Sequence, residues 1–135
     1  SDIWSVTSFN ELRREALDAT RWNMLHPTEK PKKSYVRSCL EKQEGPVVAA
    51  TDYMKIFADQ IREFVPGKYR VLGTDGFGRS DTREKLRQFF EVDRYYVTVA
   101  ALKSLAEDGK ISSGKVVEAI NKYNIDPDKP NPIKV

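Results

Sequence analysis

Gly45-Pro46-Val47-Val48-Ala49-Ala50-Thr51 and Tyr69-Arg70-Val71-Leu72-Gly73-Thr74-Asp75-Gly76-Phe77-Gly78-Arg79-Ser80 are the two stretches whose reading decides the fold. The first is a short, continuous apolar run behind a Gly-Pro break, the pattern of a strand buried on both faces in a parallel sheet. The second reads as a strand running into a glycine-rich loop. Between them Met54, Phe57, Ile61, Phe64 and Val65 recur at helical spacing, with Lys55, Asp59, Gln60, Arg62 and Glu63 interleaved, up to Pro66-Gly67. Strand, helix and strand in that order predict a βαβ unit and a parallel sheet.

Working outward, Ile3 to Thr7 alternates large and small side chains and predicts a further strand. Ser8-Phe9-Asn10-Glu11 has the spacing of a capping box, and Phe9, Leu12, Ala16 and Ala19 form the apolar stripe of the helix it opens. Pro27 and Pro31 make 23–33 an irregular connection, followed by a short helix from about Tyr35 to Gln43. Downstream, Asp81 with Glu84 offers a cap for a helix carrying Leu86, Phe89 and Phe90. Tyr96, Val99, Leu102, Leu105 and Ala106 form a long stripe that closes at Gly109, and Val116, Val117, Ile120 and Tyr123 form another. Pro127, Pro130 and Pro132 make the end a surface tail. The expected architecture is α/β, a mainly parallel sheet flanked by helices with extra helices in the C-terminal half. Its domain covers 1–125 and its proline-rich tail 126–135.

Composition excludes several classes. The 135 residues are 39% apolar and 10% aromatic, ordinary for one globular domain. No apolar run approaches the roughly 18 residues that a membrane helix needs. Lys and Arg number 23 against 20 Asp and Glu, too balanced to require nucleic acid. Ser1-Asp2-Ile3-Trp4 has no signal-peptide character, and the single Cys39 forms no internal disulfide, so a cytoplasmic location is expected.

Several residues are candidates for chemistry. Gly73, Gly76 and Gly78 are ordered G-x-x-G-x-G, which is neither the dinucleotide fingerprint nor a phosphate loop. With Asp75, Phe77, Arg79 and Ser80 they compose either a cradle of amides for a small anion at a helix start or a tight strand-to-helix connection. His26 and Cys39 lack zinc-ligand spacing, so no metal site is expected. His26 before Pro27 suggests a loop-fixing hydrogen bond, and Cys39 a small buried residue on a helix. No G-x-S-x-G elbow occurs. Arg79, Arg83, Lys85, Arg87 and Arg94 alternate with Asp81, Glu84, Glu91 and Asp93, as on a salt-bridged helix face. Lys30, Lys32 and Lys33 form a more one-sided run that could meet a partner, as in a standalone interaction module.

Read as strings, Arg21-Trp22-Asn23-Met24-Leu25-His26-Pro27, Thr51-Asp52-Tyr53-Met54-Lys55 and Val71 through Asp81 resemble the C-terminal region of the homodimeric, bacterial-type pyruvate dehydrogenase decarboxylase component. The likeness continues through Phe90-Glu91-Val92-Asp93, Tyr96-Val97, Ala100-Ala101-Leu102, Asn124-Ile125-Asp126 and Asn131-Pro132. Gly73, Asp75, Phe77, Gly78 and Ser80 also match the G-x-D-x-F-G-x-S loop of transketolase C-terminal domains. The resemblance implies the last part of a longer chain, beginning after the family domain's first strand and helix. It implies a parent enzyme that decarboxylates pyruvate with thiamine diphosphate and Mg²⁺ and passes the acetyl unit to a lipoyl group of the acyltransferase component. The expected partners are the earlier domains of the same chain, a second subunit and that acyltransferase, with no nucleic acid and no membrane. The family's G-D-G cofactor motif is missing. Thr74 separates Gly73 from Asp75, and Asn121 and Asn124 lie too far on, so no catalytic, cofactor-binding or metal-binding residue is carried over. Gly73, Asp75, Gly76, Phe77, Gly78, Arg79 and Ser80 stand as a structural or contact loop.

Overall fold

The computed structural model describes residues Ser1–Val135. The chain divides into two compact units, one of Ser1–Glu44 with Ile56–Pro66 and one of Gly45–Lys55 with Gly67–Val135.

In the first unit, α1 (Phe9–Leu25) starts where expected, the Ser8 hydroxyl accepting from the Glu11 amide at 3.2 Å. Only half of the capping box forms, because the Glu11 carboxylate pairs with Arg14 at 2.8 Å. Ala16 and Ala19 are buried on the predicted stripe. Ile3 to Thr7 is not a strand: these residues are exposed, Ile3 at 95%, and the chain's sheet has only two strands. A β-prone segment with no neighbour to take its amides and carbonyls stays irregular. Helix α2 (Tyr35–Leu40) ends before Gln43, whose amide turns back to the Leu40 carbonyl. The helix expected over 54–65 breaks into α3 (Lys55–Asp59) and a 3₁₀ turn at Arg62–Phe64. The reason lies in Gln60, whose side-chain amide donates to the Phe57 carbonyl at 2.7 Å and to Asn10 Oδ1 at 2.8 Å. It thereby competes for the acceptor that a continuing helix would offer to Ile61. Of the expected stripe Ile61, Phe64 and Val65 are buried, but Met54 and Phe57 are exposed at 53% and 40%, so the apolar spacing marked burial only in its second half.

In the second unit, β1 (Val47–Ala50) and β2 (Tyr69–Leu72) pair in parallel, Val47 opposite Tyr69 and Ala50 opposite Leu72. Helices α4 (Arg83–Phe89), α5 (Arg94–Glu107) and α6 (Ser113–Lys122) follow, and α5 packs against both strands and α6. The cap of α4 is Thr82, not Asp81. The Thr82 hydroxyl accepts from Lys85 N–H, while Asp81 accepts from the Thr82 amide. Asp93 caps α5, taking the amides of Tyr95 and Tyr96 at 2.9 Å each, and Gly109 sits beyond that helix at φ +70. Ser104, 1% exposed, donates to Ala100 O and accepts from Arg70 Nε, so the central helix grips β2 through a satisfied buried hydroxyl. Around it Arg70 and Lys103 meet Glu107, and Lys68 meets Asp108 at 2.6 Å.

The proline-rich end is more than a surface tail. Its prolines do exclude regular helix, but Pro132 is buried and heads a 3₁₀ turn.

Asp93→Ala should lower stability by about 1 kcal/mol, the usual cost of losing an N-cap, while Asp93→Asn retains most of it. Urea denaturation of both variants would measure the difference.

Candidate functional site

The loop after β2 is built by its own backbone needs. A Cβ on Gly73 would stand 2.7 Å from the Lys55 nitrogen and 2.8 Å from the Tyr53 oxygen, so only glycine lets the segments after β1 and β2 touch. Thr74 N–H donates to Tyr53 O at 2.9 Å, and its hydroxyl donates to Asp52 O at 2.8 Å. Asp75 Oδ1 accepts from the amide of Lys55, the first residue of α3, at 2.9 Å. Gly76, at φ +114, lies against the tail, where its Cβ would come 2.7 Å from Pro132 O. Beyond this point the loop faces outward. Phe77 is 81% exposed, Gly78 borders open space and Ser80 is exposed. The Arg79 guanidinium lies over the Phe89 ring at 4.0 Å.

Crevices at the carboxyl ends of parallel strands are the usual ligand sites of α/β sheets. Here that place is crossed by bonds within the chain and keeps only a small cavity of about 90 Å³, lined by Lys55, Gly73, Asp75, Glu91 and Pro132 among others. The alternative of an amide cradle also lacks its helix terminus: α4 starts at Arg83, past Ser80, and Thr82 serves its first turn. The residues do not fit a magnesium diphosphate either. The Asp75 carboxylate already accepts from Lys55, Gly76 is pressed on Pro132, and no three His, Cys, Asp or Glu gather as metal ligands.

The other candidates have structural partners. His26 stacks on Trp22 with ring centroids 4.2 Å apart, and its Nδ1 lies 2.8 Å from Trp22 O, so the ring nitrogen donates and fixes the helix end. Cys39 is half-buried rather than buried, and beside it the Tyr35 phenol is held above its ordinary pKa. The basic run folds back on α1. Asn23 pairs with both the amide and the carbonyl of Lys32, the Lys32 ammonium sits 4.3 Å from the Trp22 ring centre, and Lys33 binds Glu41 at 2.8 Å. That contact holds the Glu41 carboxyl below the usual range. In the charge-alternating segment, Arg83 and Arg87 approach Asp52 at 3.6 and 3.4 Å, so their pairing runs to the segment after β1 rather than to the interleaved acids expected of a salt-bridged helix face.

Sequence reasoning missed the tail's part in the site. Lys129 Nζ donates to Phe89 O at 2.7 Å and lies 3.2 Å from Glu91. Glu91 takes φ +62, a conformation uncommon outside glycine. The Asn131-Pro132 turn dipeptide was the available signal. Burial, with Glu91, Asp93 and Asp126 nearby, pushes the Tyr96 phenol up to about 12.

Comparison with known proteins gives a consistent result. Residues 1–93 match the Transketolase-like TK C-terminal domain family. The whole chain is 64% identical over 135 residues to the pyruvate dehydrogenase E1 component of Cupriavidus necator. Over 98% of the chain it is 63% identical to that of Pseudomonas aeruginosa and 58% identical to that of Escherichia coli. In each case the match spans about 15% of the relative's length. No helix is long and apolar enough to cross a membrane.

Asp75→Ala should cost about 1 kcal/mol, as for a lost helix cap, whereas Phe77→Ser, at an exposed position, should stay within about 0.5 kcal/mol of wild type. Thermal unfolding of the two variants separates the structural half of the loop from the outward half.

A raised phenol pKa favours the folded state while the group is protonated. The Tyr96 contribution is therefore fully present below the ordinary pKa near 10 and is lost as pH rises through about 12. Ultraviolet titration should show the latest phenolate absorbance change diminished by one tyrosine's worth in Tyr96→Phe.

Proposed function

We propose, for a chain that belongs to the transketolase-like C-terminal domain family, that it is the C-terminal domain of a pyruvate dehydrogenase decarboxylase component. The observation that carries this reading is the 64% identity along the entire chain to such an enzyme. In the whole protein, thiamine diphosphate with Mg²⁺ supplies the electron sink for loss of CO₂ from pyruvate. The acetyl unit then passes to a lipoyl group of the acyltransferase component. The cofactor is held by the earlier domains, and this domain contributes contact and support, working in the cytoplasm within a homodimer and its complex.

The loop supports that division of labour. Gly73, Thr74, Asp75 and Gly76 are occupied in holding the fold, while Phe77 is held out at 81% exposure. Burying a phenylalanine side chain in a contact yields about 2–3 kcal/mol, which makes Phe77 the anchor and Arg79 and Ser80 its polar surround.

The test uses the full-length protein. It should release CO₂ from pyruvate only with thiamine diphosphate and Mg²⁺ present. Phe77→Asp should weaken subunit association by at least about tenfold, or 1.4 kcal/mol, in analytical ultracentrifugation. Absence of pyruvate-dependent CO₂ release would sink the enzyme assignment. Unchanged association in an active enzyme would remove Phe77 as a subunit contact.

A further inference from the structure

The last ten residues meet the glycine loop and its neighbourhood at two places, through Lys129 and Pro132, with a bond inside the tail at Asn131 shaping the turn between them. The first is Lys129. Its ammonium donates to the carbonyl of Phe89, the final residue of α4, where a helix leaves carbonyls without internal donors, and a cation there also suits the helix dipole. The same ammonium pairs with Glu91 at 3.2 Å and lies 5.3 and 5.5 Å from the ring centres of Phe89 and Tyr96. It thus holds in place a residue whose φ of +62 carries a conformational cost. Within the tail, the Asn131 side chain accepts from Ile133 N–H at 3.1 Å and starts the turn that buries Pro132. The second place is Pro132 itself, whose carbonyl oxygen occupies the space where any side chain on Gly76 would begin. Gly76 in turn precedes the exposed Phe77.

From these contacts we infer that the segment Asp126–Val135 is a clasp that sets the conformation of the loop 73–80 and so fixes how Phe77 is presented. Loop and tail are coupled through Gly76 and Pro132, and the tail is anchored at its other end by Lys129. Such coupling is reciprocal: loosening the tail must loosen the loop, and strain in the loop must loosen the tail by the same free energy. The clasp's significance for assembly rests on the contact reading of Phe77 above, but its existence does not.

Hydrogen exchange of the full-length protein, resolved by peptide, tests it. In Lys129→Met, which keeps the apolar stem and removes the charge, exchange across 73–80 and 89–91 should rise by about tenfold or more, with α6 (Ser113–Lys122) as the unchanged reference. In Gly76→Ala, exchange should rise across 126–135. Asn131→Ala should reproduce the Lys129→Met pattern without touching the ammonium. Faster exchange confined to the tail in Lys129→Met and Asn131→Ala, or confined to the loop in Gly76→Ala, overturns the clasp. Reciprocal loosening combined with normal subunit association in Phe77→Asp would keep the clasp and reject only the contact reading.

Discussion

The hydrogen bond from the Lys55 amide to the Asp75 carboxylate is the constraint on which the strand ends depend. Parallel strands cannot be closed by a hairpin, so their carboxyl ends diverge into separate connections unless something ties them. The pairing of Val47–Ala50 with Tyr69–Leu72 has only four residue pairs, and the tie extends it beyond the ladder. Thr51 N–H reaches Leu72 O, Thr74 N–H reaches Tyr53 O, and Asp75 then receives Lys55 N–H. Gly73 is the residue that makes this approach sterically possible. Capping α3 from a neighbouring loop also uses the helix dipole favourably, since a carboxylate sits at its amino end.

Charge plays a smaller part. The cluster of Lys68, Arg70 and Lys103 with Glu107 and Asp108 joins β2 to the end of α5, but its side chains are about a third to a half exposed. Pairs so exposed contribute little individually. What holds β2 against α5 is the neutral interior beneath them, where Ser104 satisfies its own hydroxyl on Ala100 O and offers a lone pair to Arg70. The ion pairs orient an interface that burial stabilises.

Much of this was legible in the residues, and the failures have specific causes. Both sheet strands, the Ser8 cap and the close of α5 at Gly109 follow from local pattern, because each depends on neighbours within a few positions, whereas the face that α5 buries runs through Ala100 and Ser104 rather than through the expected stripe. Ile3 to Thr7 misled because strand propensity describes fitness for a pleated surface, and no strand lies beside it. The break between α3 and Arg62–Phe64 was hidden because Gln60 is a good helix former, and its competing bonds to Phe57 O and Asn10 are visible only in three dimensions. The tail was read as surface because prolines exclude regular structure. That excludes hydrogen-bonded ladders, not burial, and Pro132 needs no donor to pack against Gly76.

The glycine loop shows why a ligand motif and a structural turn look alike in a sequence. Both need glycine where backbone must approach something closely or take positive φ, and both place a carboxylate or amide nearby. They differ in what occupies the space that the glycines open. In a phosphate cradle it is the ligand, and the amides converge on emptiness. Here the space at Gly73 is filled by Tyr53 and Lys55, and that at Gly76 by Pro132. The order of residues agrees with this: Thr74, standing between Gly73 and Asp75, spends both its amide and its hydroxyl on the segment after β1. Thr74 is thus one of the residues that tie the strand ends together, so the loop's glycines answer to the neighbouring chain, and Phe77 is the part of it left exposed.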